Sequence, residues 1–104
     1  MTRELGGVGT KVIFDNDRVR VWKLALAPGE RSAPHRHDLD HLLIQVRGDR
    51  IAVEPEADTN GPYNEPFTGD VIPGYTIFVP KGGVETAVNV GDEDYYEIIV
   101  ELKQ

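Results

Sequence analysis

Residues that turn or break a backbone interrupt this chain so often that they leave only short β-prone runs between them. Eleven glycines and seven prolines are spread over 104 residues. Acidic and amide clusters such as Asp15-Asn16-Asp17 and Asp92-Glu93-Asp94 add further turns. The runs predicted as strands are Val12-Ile13-Phe14, Arg18 to Ala27, Pro34 to His37, Leu42 to Val46, Ile51-Ala52-Val53, Tyr75 to Val79, Val84 to Val90 and Tyr95 to Leu102. Leu42 to Val46 is apolar on both faces, so burial on both sides is expected. Arg47-Gly48-Asp49-Arg50 is expected to turn the chain so that Ile51-Ala52-Val53 pairs back. Residues 1–10 read as a loose arm or an edge strand, and Glu54 to Asp70 as a long loop or loosely paired excursion. Tyr95-Tyr96-Glu97-Ile98-Ile99-Val100 is the one rival stretch for helix, but it is too β-branched and aromatic to favour one. The class predicted is all-β, a sandwich or a barrel.

A chain of this length fits one domain, expected over 1–104. Its 39% hydrophobic residues suffice for one modest core. The formal net charge of −7 repels phosphate backbones and anionic lipid, so neither nucleic acid nor a membrane is an expected partner. With no cysteine in the chain, disulfides and thiolate ligands are excluded. No run has the length of a signal-peptide core or a membrane span, which makes a cytoplasmic protein the expectation.

Chemistry is concentrated in one place. The three histidines of the sequence all fall in Pro34-His35-Arg36-His37-Asp38-Leu39-Asp40-His41, the pattern of a transition-metal site. On a strand His35 and His37 share a face, with Cα atoms roughly 6–7 Å apart. A straight strand would carry His41 about 13 Å further, beyond the reach of one ion. The chain must therefore turn at Asp38-Leu39-Asp40, and a hairpin returning His41 opposite His37 is predicted.

These residues sit in a longer pattern. Gly29, His35, His37, His41 and Gly48 have the spacing G-x5-H-x-H-x3-H-x6-G. Gly74, Pro80, Gly82, Glu85 and Asn89 have the spacing G-x5-P-x-G-x2-E-x3-N. The chain resembles a small single-domain cupin, whose two motifs show these spacings with glutamate at the position of His41 and histidine at that of Glu85. Two ligand positions are exchanged, yet the set remains three histidines and one carboxylate. Motif one (29–48) and motif two (74–89) flank the polar region 54–70. The resemblance implies a cupin-type jelly-roll β-barrel (a double-stranded β-helix), often dimeric, with an ion held inside by His35, His37, His41 and Glu85.

Imidazole and carboxylate suit one divalent Fe, Mn, Ni, Zn or Cu ion. The resemblance implies a metal-dependent enzyme acting on a small organic molecule, a dioxygenase first, with isomerases, decarboxylases, lyases and cyclases also represented. A non-catalytic small-molecule or metal-binding module is the alternative. No glycine signature for a dinucleotide cofactor and no nucleophile triad is present. Gln45, on the His41 face, is a candidate hydrogen-bonding group for substrate, and Tyr63 and Tyr75, flanking the long loop, are candidate acids or donors. Trp22 and Phe78 are candidates to wall the pocket, with core packing the stronger reading. Asp38 and Asp40 could orient an imidazole, although turn formation is the plainer role.

Overall fold

The computed structural model describes residues 5–103, in which the regular structure is entirely strand. The strands are β1 (Lys11–Asp15), β2 (Val19–Leu26), β3 (His35–Arg36), β4 (His41–Arg47), β5 (Arg50–Pro55), β6 (Phe67–Asp70), β7 (Thr76–Val79), β8 (Val84–Asn89) and β9 (Tyr95–Leu102). They form a five-stranded sheet ordered β1-β2-β9-β4-β7 and a four-stranded sheet ordered β3-β8-β5-β6. Every paired strand is antiparallel, and the two sheets close on each other as a jelly-roll barrel. Among the described residues no helix is long and apolar enough to cross a membrane.

Each expected strand is present within a residue or two of its predicted ends. Three expectations are corrected. The segment after His37 is not a hairpin. β3 pairs with β8 in one sheet, whereas β4 pairs with β7 and β9 in the other. Residues 38–40 thus carry the chain across the barrel, and facing side chains from both sheets meet in the gap. The same holds at Arg47 to Arg50: β5 does not pair back on β4 but joins β6 and β8. Finally, β4 is buried on one side only, with Val46 44% exposed.

Within the polar excursion 54–70, β6 pairs with β5 through Arg50↔Asp70, Ile51↔Gly69, Ala52↔Thr68 and Val53↔Phe67. Of the N-terminal arm, residues 1–4 lie outside the described residues. Gly6 bridges His35, and Val8 is buried in the core with Leu24, Leu26, Ile51, Val71, Ala87, Tyr95 and Ile99.

The four glycines that fix the motif spacings, Gly29, Gly48, Gly74 and Gly82, are also the described glycines with positive φ. Gly82 shows why the residue matters. Its φ is +115°, and a Cβ there would lie 2.9 Å from the Asn60 carbonyl oxygen. Its N–H donates to the His37 carbonyl at 2.8 Å, and the His37 N–H donates to the Gly83 carbonyl at 2.8 Å. The turn therefore anchors the backbone of a histidine from the other motif. Asn89 ends that motif as a clasp: its amide donates to the Leu26 and Glu93 carbonyls and its oxygen accepts the Gly91 N–H.

On β9 the inward residues are Tyr95, Glu97, Ile99 and Glu101, while Tyr96, Ile98, Val100 and Leu102 face outward and are half-buried. Register aligns Phe14, Val21, Val100, Leu42 and Phe78 in one row across the five-stranded sheet. That row is apolar from edge to edge, while the row beside it carries Lys11 and Lys23.

Candidate metal centre

His35 on β3 is the direct cross-strand partner of Glu85 on β8, and such pairs bring side chains of one face together. His37 lies just beyond β3, and His41 opens β4. All three imidazoles are buried, His41 completely. One ligand atom from each of His35, His37 and Glu85 lies within 4.8 Å of the others. His41 stands outside that closest cluster, its ring stacked on His37 with centroids 4.0 Å apart and planes 14° from parallel. His35 meets His37 edge-on at 4.9 Å.

Hydrogen bonds leave coordinating atoms free. His35 Nδ1 lies 3.0 Å from the Ala33 carbonyl and His41 Nδ1 lies 3.0 Å from the Leu39 carbonyl. Each such Nδ1–H donates to backbone, which directs Nε2 as a lone-pair donor toward the centre. His37 Nε2 is 3.2 Å from Glu85 Oε1. Among the described residues, two buried ring nitrogens, His37 Nδ1 and His41 Nε2, have no hydrogen-bond partner. Burying such atoms unsatisfied is costly, and an ion would satisfy them.

The electrostatics agree with this. Burial, with His37 beside it, holds His41 down at about 4, and burial also lowers His35. Both are then neutral at pH 7, the form that binds metal. Burial pushes Glu85 up, but the His37 hydrogen bond and the neighbouring imidazoles outweigh it and the net direction is down. The residues present thus fit a divalent transition-metal ion.

The cluster sits at the polar end of a cavity. An inner chamber of about 70 Å³ is lined by His35, His37, Glu85, Gln45, Tyr95, Glu97 and apolar side chains. It shares Leu43, Gln45, Ile51, Val53, Phe67, Ile77 and Glu85 with an outer chamber of about 260 Å³, where Tyr63, Asp70 and Tyr75 reach solvent. The outer chamber holds the equivalent of about nine waters at ~30 Å³ each, the scale of a small organic molecule.

No family model matches the sequence. A cupin domain from Bordetella pertussis Tohama I superposes on the structure with a TM-score of 0.78, covering 100% of both chains at 22% identity. The chain folds as a small cupin. The same barrel resembles the polyketide cyclase RemF from Streptomyces resistomycificus, with a TM-score of 0.64 at 21% identity over 90% of this chain and 63% of that one. An oxalate oxidase in complex with the substrate analogue glycolate gives 0.60 at 22% identity over 82% of this chain and 42% of that one. In sequence the chain is 24% identical over 98 residues to auxin-binding protein T85 of Nicotiana tabacum, covering 93% of this chain and 52% of the relative. Auxin-binding protein 1 of Arabidopsis thaliana is 24% identical over 93 residues, or 89% of this chain and 46% of the relative. The chain spans about half the length of these plant proteins.

Other residues singled out in the sequence divide clearly. Gln45 faces the cupin cavity, but its Oε1 accepts the Ile72 N–H at 2.9 Å. Tyr63 and Tyr75 line the outer chamber at 45% and 49% exposure, Tyr63 within 6.0 Å of the Phe67 ring. Trp22 packs on the core and donates its indole N–H to Glu101 at 2.6 Å. Phe78 lines neither chamber and is not core: it is 53% exposed on the outer face, because Ile77 and Val79 take the inward positions. Asp40 accepts the Lys81 N–H at 2.9 Å and Asp38 is exposed, so both serve the crossing turn, while backbone carbonyls orient the imidazoles.

Glu97 was missed by sequence reasoning. It is buried at 7% exposure on the inner chamber wall, and its Oε1 accepts the Tyr95 hydroxyl. Burial pushes its carboxyl up to about 7, with Glu85 adding to the rise while Tyr95 and His37 oppose it. Burial and the Glu97 charge drive the Tyr95 hydroxyl upward as well, so it stays a donor.

Proposed function

We propose that this cupin barrel is a metal-dependent enzyme acting on a small organic molecule, with His35, His37, His41 and Glu85 holding one divalent transition-metal ion. The observation that carries this reading is the convergence of donor atoms from His35, His37 and Glu85 within 4.8 Å on the wall of the inner chamber. Bound there, Fe, Mn, Ni, Zn or Cu would supply Lewis acidity, and the redox-active members electron transfer. The protein's own side chains do the remaining work. Ala33 and Leu39 carbonyls fix two imidazoles in their ligating tautomer. Leu43, Ile51, Val53 and Ile77 exclude water around the substrate body and strengthen each polar contact in the inner chamber.

Dioxygenase-type oxidation is the first reaction proposed, supported by the likeness to an oxalate oxidase. The likeness to a polyketide cyclase supports cyclase, isomerase or lyase chemistry at the same centre. A second reading, a barrel that binds a small molecule without converting it, is supported by the auxin-binding plant relatives. Oxygen-electrode and product assays on tag-free protein loaded with Fe(II) or Mn(II), against small aromatic and hydroxy-acid compounds, separate them. Turnover abolished by His37→Ala supports the enzyme. Tight binding with no conversion supports the second reading.

A homodimer is proposed as the working state. The apolar row Phe14, Val21, Val100, Leu42 and Phe78 across the outer sheet face supports it, since a second copy would remove that row from water.

A further inference from the structure

Three aromatic side chains of the outer chamber are left where a core could not use them. Tyr63, Phe67 and Tyr75 line it and stay 45%, 47% and 49% exposed. The Tyr63 and Phe67 rings lie 6.0 Å apart with planes tilted by 55°. Phe67 also lines the inner chamber, so it stands where the two chambers join. Half-exposed rings gathered round a cavity keep apolar area in water that a bound ring would cover. The inner chamber, about 70 Å³, has room for roughly two waters at ~30 Å³ each, the size of a small polar head.

The charge of the walls runs one way. Outside the imidazoles of the candidate metal centre, their ionisable groups are the carboxyls of Glu85, Glu97 and Asp70 and the phenols of Tyr63, Tyr75 and Tyr95. Each of these can become negative and none can become positive. Among the described residues no lysine or arginine lines either chamber. Arg50 approaches the rim, but its Nε lies 4.0 Å from Asp70 Oδ1 and both side chains stand in solvent. An ion at the candidate centre would supply positive charge at one point only. A second anionic group, held away from that point, would lose its water against walls that offer it no positive partner. The net charge of −7 adds repulsion at longer range.

We propose that this pocket selects a small molecule with one metal-seeking polar head and an uncharged, ring-sized body laid against Tyr63, Phe67 and Tyr75, and rejects molecules whose far end is anionic. The inference rests on the metal-site reading for the place of the head and names the substrate class. The selection of the body rests on the chamber walls alone.

Calorimetry at pH 7 on the Zn(II)-loaded chain compares 3,4-dihydroxybenzamide with 3,4-dihydroxybenzoate. The two share a ring and a chelating head, and their tails match in shape but differ in charge. The amide is expected to bind at least about tenfold more tightly. Tyr75→Arg and, separately, Tyr63→Arg place a cation at the rim and are expected to narrow that ratio at least about threefold by tightening the benzoate, a gain that a misfolded variant would not show. Phe67→Ala is expected to weaken both ligands by about tenfold. Equal affinity for the pair, preference for the benzoate, binding of neither by wild type, or a ratio unchanged in both arginine variants would each overturn the proposal. Competition with a chelator reads Zn(II) affinity separately. Protein that holds no Zn(II) yet prefers the amide overturns the metal reading and supports the selectivity, whereas Zn(II) held with no preference overturns the selectivity and leaves the metal reading standing.

Discussion

Replacing Glu97 by glutamine should make the metal-free protein more stable at high pH. Glutamine has nearly the same shape, retains an oxygen to accept the Tyr95 hydroxyl and cannot ionise. In the folded wild type the carboxyl is pushed up to about 7 from an ordinary glutamate value of 4.5. Below 4.5 it is protonated in both folded and unfolded chains, and the stability it allows is fully present. As pH rises through the interval, the unfolded chain releases its proton first, so folding loses free energy until the folded carboxyl also ionises near 7. At about 1.4 kcal/mol per tenfold change in proton affinity, the interval corresponds to at most about 3.5 kcal/mol. The difference between variant and wild type should therefore swing toward the variant by about 2–3 kcal/mol between pH 5 and pH 8.5. Urea unfolding of chelator-treated protein, followed by the fluorescence of the single tryptophan, Trp22, measures it. A difference that stays constant across that range would refute the assignment of a neutral, buried carboxyl.

His41→Ala should weaken Zn(II) binding by more than about tenfold, the least that loss of even an outer-shell partner costs, read by competition with a chromophoric chelator. Gly82→Ala forces a side chain onto a φ of +115° and against Asn60. It should cost about 1–3 kcal/mol in thermal unfolding and loosen metal through the His37 backbone. Leu42→Glu puts a charge in the middle of the apolar outer row, so sedimentation should show a dimer for wild type and a monomer for the variant.

The grouping of the candidate ligands was legible because their spacing is dictated by backbone geometry. Gly29, Gly48, Gly74 and Gly82 mark positive-φ turns, and between them His35, His37, His41 and Glu85 keep fixed distances from each turn. Strand parity also placed Gln45 on the cavity side correctly. Sheet membership was not legible. A turn such as Asp38-Leu39-Asp40 looks the same whether it closes a hairpin or crosses between sheets, and only the long-range pairings of β3 with β8 and β4 with β9 decide. The facing of β9 was not legible either. Its more apolar parity is Tyr96, Ile98, Val100 and Leu102, yet the barrel turns Tyr95, Glu97, Ile99 and Glu101 inward. Phe78 was misjudged because Ile77 and Val79 take the inward positions of β7.

The most direct test of a metal centre inside this barrel is elemental analysis of protein purified without a histidine tag, reconstituted with Fe(II), Mn(II), Ni(II), Zn(II) or Cu(II) in turn. Close to one tightly held ion per chain, lost in both His37→Ala and Glu85→Ala, is the predicted result. No retained ion with any of the five metals, or occupancy unchanged by both substitutions, would contradict it.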